Sequence, residues 1–322
     1  MSNYFEGREI LLTGGTGSLG KALTYMLLDQ YHPRGIRIFS RDELKQFEMR
    51  NSIFQKYGSG IPIAFIIGDI RDEKRLKLAT KGVHIIIHTA ALKQVPACQD
   101  NPMEAIQTNI FGSQNVLYAA LENKVEKVMA ISTDKAVMPI NLYGSTKMCM
   151  EHLFVHGNIY SGGREPYFSI SRYGNVVGSR GSVIPLFKRQ LSETGRMTIT
   201  DIRMTRFWIR LKRVASFVLE SVERMKGGEI FVPKMPSVRV IDMARQIGPN
   251  APIEVMEIRS GEKLHEILIT KEESVKVIDE DERGYVIGRQ DDSHDEFEYR
   301  SDSNSWWLSK EELQEIIDEV EI

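Results

Sequence analysis

The run Thr13-Gly14-Gly15-Thr16-Gly17-Ser18-Leu19-Gly20 constrains this chain more than any other. It lies between an apolar run, Glu9 to Thr13, and a helix-forming stretch from about Ser18 through Leu28. A strand that turns through closely spaced glycines into a helix brings backbone N–H groups up to an anion at the helix N-terminus. Two glycine registers fit. Gly15, Gly17 and Gly20 form G-x-G-x-x-G, and Gly14, Gly17 and Gly20 form G-x-x-G-x-x-G. Thr13, Gly14, Gly17, Ser18, Leu19 and Gly20 are therefore the residues expected to cradle the pyrophosphate of a dinucleotide.

The same alternation continues downstream. Further strands are expected at Ile36–Ser40, Pro62–Gly68, Val83–Thr89, Val128–Ser132 and Tyr167–Tyr173. Helices are expected at Leu44–Tyr57, Pro102–Lys124 and Tyr143–His156. Strands alternating with helices imply right-handed crossovers and a parallel sheet covered on both faces. After Asn175 the texture loses this regularity. A helix is expected at Phe207–Lys226, a strand at Glu229–Val232, a helix at Val240–Ile247 and a strand at Pro252–Ile258. Asp279 to Asp302 reads as acidic and irregular. It leads to an amphipathic helix from Ser309 to about Val320, with Ser309 and Glu312 in capping-box spacing. The expected fold is α/β, a Rossmann-type doubly wound parallel sheet with a smaller, discontinuous C-terminal substrate domain. Residues 1–175, joined by about 205–245, would form the cofactor-binding domain. Residues 176–204 and 246–322 would form the substrate-binding part.

The end of the second strand bears on the choice of cofactor. It reads Phe39-Ser40-Arg41-Asp42-Glu43. An NAD site wants an acid there for the ribose 2′-hydroxyl. Here Ser40 and Arg41 come first and offer a hydroxyl and a guanidinium to a 2′-phosphate. NADP is favoured, and Asp42 keeps NAD open. Asp69 and Ile70 follow the third strand and could flank adenine. Ala90 and Ala91 follow the fourth, where small side chains leave room for a cofactor.

Two acid–base pairs lie close together in sequence. Tyr143 and Lys147 are spaced i, i+4 and share a helix face. A lysine charge favours the tyrosinate, which can take a proton from an alcohol as hydride leaves its carbon. Asp134 and Lys135, in Ser132-Thr133-Asp134-Lys135, are surplus to such an oxidation. By pattern alone they form either a local ion pair or the means of a second step such as elimination. Both could face one ligand only if the chain has left its strand by Asp134, and Ala136-Val137-Met138-Pro139 suits a loop.

A formal charge of −2 argues against a nucleic-acid surface. No apolar run approaches the ~20 residues of a membrane span. Cys98 and Cys149 have no metal-ligand spacing around them. The chain reads as a cytoplasmic protein without a metal, a nucleic-acid partner or a membrane partner.

Together, Thr13 to Gly20, Asp69, His88 to Lys93, Ser132 to Lys135, Tyr143 to Lys147 and Arg172 to Phe187 resemble the extended short-chain dehydrogenase/reductases. More narrowly, Ser132 to Val137, Arg172 to Val176, Gly178 to Pro185 and Gly261 to Glu266 resemble the inverting UDP-N-acetylglucosamine 4,6-dehydratases of pseudaminic-acid biosynthesis. The resemblance runs from about Glu9 to about Glu266. Membrane-bound and epimerase-like relatives of this pattern carry methionine where this chain has Tyr143. Retaining sugar-nucleotide dehydratases, more distantly similar, carry Asp-Glu where this chain has Asp134-Lys135.

The resemblance implies a chemistry. Tyr143 takes the proton of the sugar 4-hydroxyl, Lys147 holds Tyr143 and the cofactor ribose, and Thr133 bonds the 4-oxygen. A neutral Lys135 removes the C5 proton, and a protonated Asp134 protonates the departing 6-hydroxyl. Around the sugar nucleotide it implies Lys93 and Asn175, with Arg180, Arg206 and Arg259 at the diphosphate, Met204 at the base and Glu262 at the uridine ribose. It also implies a homo-oligomer. Trp306 and Trp307 could stack on a base or anchor the C-terminal tail.

Overall fold

The computed structural model describes residues 4–178, 182–289 and 295–320. Its first half alternates strands with helical crossovers: β1 (Glu9–Thr13), α1 (Ser18–Met26), β2 (Gly35–Ser40), α2 (Glu43–Tyr57), β3 (Ile63–Ile67), α3 (Glu73–Ala79), β4 (Ile85–His88), α4 (Val95–Asp100), α5 (Pro102–Ile106), α6 (Gly112–Glu122), β5 (Lys127–Thr133), α7 (Leu142–Gly157) and β6 (Tyr167–Tyr173). The strands read as continuous apolar runs such as Ile10-Leu11-Leu12 and Ile85-Ile86-Ile87, all fully buried. That pattern belongs to a parallel sheet covered on both faces.

The second half supplies β7 (Asn175–Val176), α8 (Val183–Thr194), β8 (Met197–Ile199), β9 (Thr205–Ile209), α9 (Leu211–Arg224), β10 (Ile230–Pro233), β11 (Ser237–Arg239), α10 (Val240–Ile247), β12 (Ile253–Val255), β13 (Ile267–Ile269), α11 (Lys271–Ser274), β14 (Val277–Glu280), β15 (Gly284–Ile287), β16 (Tyr299–Arg300) and α12 (Lys310–Asp318). The main sheet runs β14-β15-β10-β6-β5-β4-β1-β2-β3. From β10 to β3 every pairing is parallel. β15 and β14 close the edge antiparallel. The strand order reverses between β1 and β4, and open α/β sheets bind ligands at such a switch point.

Apolar side chains fill both faces of this sheet. One core joins Leu12, Leu23 and Ile38 to Val218 and Phe231. The other joins Leu11 and Ile86 to Val116, Phe154 and Phe168. A separate core holds Ile184, Phe187, Met197, Trp208, Met243, Leu313 and Ile317. It gives α8, α10 and α12 a centre of their own beside the carboxyl ends of the strands.

Several expectations are corrected. The helix expected at Phe207–Lys226 starts only at Leu211. Thr205–Ile209 is a strand, paired with β7 and β11 and buried at every position. Pro102–Lys124 is not one helix, because a five-residue π-turn at Gln107–Phe111 separates α5 from α6. Within Asp279–Asp302, the acids Asp279 to Glu282 sit on and beside an antiparallel hairpin that extends the main sheet. This hairpin lies within 246–322, the stretch expected in the substrate-binding part. The capping box at Ser309 and Glu312 is present and starts α12.

Candidate active site

The glycine loop leaves β1 and enters α1 under tight steric limits. Gly14 sits at φ +67°, and a Cβ there would lie 2.8 Å from the Ala90 backbone. Only glycine permits that turn and that approach together. Gly17 caps α1 with no side-chain bond to the first-turn N–H groups. Those groups stay free for an anion. Thr13 and Gly20 serve the loop from behind. The Thr13 hydroxyl lies 2.7 Å from His88 Nδ1, and Gly20 packs on the Gly15 backbone.

Two cavities meet at Gly14, Ala90 and Ala91. The smaller, about 230 Å³, is lined by Ser40, Arg41, Asp42, Asp69 and Ile70. Arg41 is half-exposed, 3.6 Å from Asp69. Burial raises the Asp69 carboxyl, but bonds from Arg71 and the charge of Arg41 outweigh it and hold the group below its usual range. Asp42 is engaged elsewhere: it caps α2 by accepting from the Lys45 amide at 3.0 Å, and it pairs with the Lys45 ammonium. Ser40 Oγ accepts from Gln46. Among the described residues, two cations line this end, Lys45, which is paired with Asp42, and the more exposed Arg41, and these residues fit a dinucleotide's adenosine end.

The larger cavity, about 940 Å³, runs from the glycine loop into the second half of the chain. Gly17, Ser18, Leu19, Lys93, Thr133, Lys135, Tyr143 and Lys147 line one side. Asn175, Met204, Arg206, Arg259 and Glu262 line the other. Arg180 lies outside the described residues. Trp306 and Trp307 are absent from the lining. They pack beside Arg213 and Arg239 as anchors of the tail.

Asn141 caps α7 by accepting from the Gly144 amide at 2.8 Å, which fixes Tyr143 in the helix's first turn. Burial pushes the Tyr143 phenol up to about 12, while the Lys135 charge and a bond with Thr133 oppose that rise. One turn on, Lys147 is buried, and its ammonium donates to the Ile131 carbonyl at 2.5 Å. Burial pushes Lys147 down to about 8, with Glu151 opposing. His88, buried nearby, is pushed down to about 3 by burial and by the Lys147 charge, so it is neutral.

β5 ends at Thr133, and Asp134–Ala136 turns as a single 3-10 turn. The chain has left its strand at Asp134, as the sequence required. Asp134 is fully buried, accepts from the Thr133 hydroxyl at 2.9 Å and pairs with Lys135 Nζ at 3.1 Å. It stands behind Thr133 and Lys135 rather than on the cleft wall. Burial disfavours the Lys135 ammonium, but Asp134 and Glu266 outweigh burial and raise its pKa. The resting lysine is thus cationic, where the sequence argument wanted it neutral. Its charge in turn helps lower Lys93, after burial.

The sequence reading missed the partners that arrive from the second half. Glu266 is 2 % exposed and reaches Lys135 Nζ at 3.4 Å. Lys263 donates to the Val137 carbonyl, and Asn141 donates to the Gly261 carbonyl at 2.8 Å. The segment Gly261 to Glu266 is thereby fastened to the turn bearing Asp134 and Lys135. The run Gly261 to Glu266 stood out in the sequence by its family resemblance and its density of charge, but neither marked Glu266 or Lys263 as partners of the Asp134–Lys135 turn.

A dinucleotide loop at the switch point, with a buried Tyr–Lys pair facing it, defines an enzyme scaffold of the extended short-chain dehydrogenase/reductase class. Residues 10–287 match the family described as polysaccharide biosynthesis protein, and the chain belongs to that family. It is 46% identical to a UDP-N-acetylglucosamine 4,6-dehydratase (inverting) of Campylobacter jejuni, over 98% of this chain and 99% of that protein. A UDP-glucose 4-epimerase of Rickettsia canadensis is 41% identical over 85% of this chain and 81% of its own length. Among solved structures, Pen from Bacillus thuringiensis superposes with a TM-score of 0.91 at 37% identity, covering 99% of both chains.

Proposed function

We propose that this chain is an inverting UDP-N-acetylglucosamine 4,6-dehydratase that uses NADP, acting in the cytoplasm as a homo-oligomer. The observation that carries the reading is the meeting in one cleft of the Tyr143–Lys147 pair and Lys135, whose partner Asp134 stands directly behind it. The full-length likeness to the Campylobacter jejuni dehydratase supports the same reaction.

Gly14, Gly17, Ser18, Leu19, Ala90 and Ala91 would hold the pyrophosphate and nicotinamide halves of the cofactor, and Ser40, Arg41, Asp69 and Ile70 the adenosine half. A bound nicotinamide would supply reversible hydride transfer, out from C4 and back to C6. Tyr143 takes the 4-hydroxyl proton, and Lys147 and Thr133 bear on that phenolate. The new 4-ketone acidifies C5–H. One internal proton shift, from Nζ to the Asp134 carboxylate, makes an amine base and a carboxylic acid at once. Its resting place is Oδ2, unpartnered among the described residues, which leaves the Nζ–Oδ1 contact in place. The amine removes the C5 proton, and because Asp134 stands behind Lys135, the acid's proton passes through Nζ to the leaving 6-hydroxyl. Lys135 and Asp134 then stand as they began, cation and carboxylate. Hydride addition at C6 leaves an enolate that takes a solvent-exchangeable proton at C5 from the opposite face. Tyr143 releases the proton it took, so the protons balance. Lys93 and Asn175 face the sugar, Arg206 and Arg259 suit the diphosphate, and Met204 and Glu262 suit the uridine.

The test is incubation with UDP-N-acetylglucosamine and NADP in deuterated water, with the product read by NMR. The expected product is a 4-keto-6-deoxy sugar inverted and deuterated at C5. A 4-epimer that keeps its 6-hydroxyl would refute the dehydratase reading, and so would retention at C5.

A further inference from the structure

Lys135 Nζ stands among three acceptors: Asp134 Oδ1 at 3.1 Å, Glu266 Oε1 at 3.4 Å and Asn175 Oδ1 at 3.4 Å. An ammonium has three N–H bonds and a neutral amine has two. If Lys135 is to be a base, one of these three directions must become the lone pair, and it must be the one that faces the sugar. Asp134 is walled in behind the turn, and Asn175 lies across the cleft on the first residue of β7. The two directions that can be kept are therefore those toward the two carboxylates, and the Asn175 direction is the one a sugar can take.

Glu266 is built to stay where it is. It is 2 % exposed, and its second oxygen has no hydrogen-bond partner among the described residues. Lys263 Nζ lies 3.8 Å from that oxygen, Oε2, and Arg206 Nε lies 3.8 Å from the other, Oε1. Lys263 is held in turn by the Val137 carbonyl, and Arg206 by the carbonyls of Thr205, Lys263 and Leu264. A buried carboxylate with one oxygen unbonded costs folding energy that these long contacts only partly offset.

We propose that Glu266 is the positioning residue of Lys135: with Asp134 it fixes two of the three Nζ directions, so that the third points at C5 of the sugar. This rests on the dehydratase reading above and assigns a role to a residue outside the Tyr–Lys and Asp–Lys pairs. Glu266 also sets the charge balance of the lysine. The charged or titratable groups facing Lys135 are Asp134 on its own turn, Glu266 and Lys263 from the loop before β13, Arg206 on β9, Lys93 after β4 and Tyr143 on α7.

The test compares wild type, Glu266→Gln and Glu266→Asp. The readouts are steady-state kinetics with UDP-N-acetylglucosamine, C5 deuterium uptake against pH, and thermal unfolding. Glu266→Gln keeps an acceptor oxygen but loses the charge. Its ascending pH limb for C5 exchange should move down by about one to three units, because one carboxylate no longer favours the ammonium. Its kcat should fall about 10- to 100-fold at the plateau, with KM within about twofold. Glu266→Asp should keep the wild-type limb and lose kcat through its shorter reach. An unmoved limb in a folded Glu266→Gln enzyme overturns the proposal, and so does a loss confined to KM. If Glu266→Gln does not fold, Glu266→Asp decides: wild-type kcat there overturns the proposal, and a lowered kcat on an unmoved limb supports it. A wild-type enzyme that forms no dehydrated product would refute the dehydratase reading itself, which is a different result.

Discussion

Replacing Lys135 with methionine tests the assignment of the elimination step. Methionine keeps the length and apolar stem of the lysine and removes its charge and its proton. Loss of a positioned general base costs about 10² to 10⁴ in rate, or about 3 to 5 kcal/mol of barrier. The change also strands two carboxylates, Asp134 at 0 % and Glu266 at 2 % exposure. Removing one partner of a buried ion pair costs about 3 to 5 kcal/mol. Uptake of a proton by one carboxyl reduces that cost, and Lys263 and Arg206 remain beside Glu266. The unfolding temperature should therefore fall by several degrees without loss of the fold. The oxidation step is affected differently. The Lys135 charge counters the burial that pushes Tyr143 up to about 12. Without it the phenol rises further, so C4 oxidation should slow at neutral pH and recover as pH is raised. Dehydration should stay lost at every pH. The assay is NMR of the sugar products across pH, with cofactor binding followed by fluorescence quenching. The C4-oxidised sugar should accumulate in stoichiometric amount, with no 6-deoxy product. Formation of the 6-deoxy product at the wild-type rate would refute Lys135 as the base.

Lys147→Met should abolish turnover and raise the unfolding temperature at pH 7. Burial holds the lysine near 8, against 10.5 for an ordinary lysine. Between those values the unfolded chain binds more protons than the folded one, so stability rises with pH across that window. Below it the buried ammonium costs up to about 3 kcal/mol, which methionine removes, as calorimetry would register. Arg41→Ala should weaken NADP about 10- to 100-fold and leave NAD within about twofold, by titration calorimetry, because the guanidinium is the more exposed of the two cations lining the adenosine end. Gly144→Ala should cost about 1 to 3 kcal/mol by chemical denaturation, since its Cβ would lie 2.1 Å from the Lys135 carbonyl oxygen. The shift of that turn should lower kcat more than cofactor affinity.

The Rossmann half was legible because its signals are local. Continuous apolar strands, a glycine loop at φ +67° and a Tyr–Lys spacing of one helical turn each lie within a few consecutive residues. β9 was not legible for an equally physical reason. Thr205 to Ile209 is buried on both faces, so no period-2 alternation marks it, and only Arg210 separates it from the apolar stripe of α9. Its aromatic pair then reads as a continuation of that stripe. The hairpin of β14 and β15 was hidden by the acids on its exposed side, Asp279 and Glu280. Of the site, the residues on one continuous segment were found, Thr133 to Lys135 and Tyr143 to Lys147. Glu266 and Lys263 were missed because they reach Lys135 and Val137 from the far side of the cleft. Only the fold brings a carboxylate so remote in sequence to 3.4 Å from the lysine.

That remote carboxylate also bears on why residue 135 is a lysine. The two lysines of the site stand in opposite environments. Lys147 has one carbonyl and the sulfur of Met150 around its ammonium, so burial dominates and drives its pKa down. Lys135 has two carboxylates, so their charges dominate and drive its pKa up. A glutamate at 135, as in the Asp-Glu pattern of the retaining dehydratases it distantly resembles, would set three acids around one point. Asp134 and Glu266 are both nearly sealed from water, and unpaired charges there are costly. Arg206 and Lys263 already compensate Glu266, and neither pairs with Asp134. The buried charge balance therefore ties the identity of residue 135 to that of residue 266. A conversion between the two stereochemical outcomes has to change both positions, not the Asp–Lys pair alone.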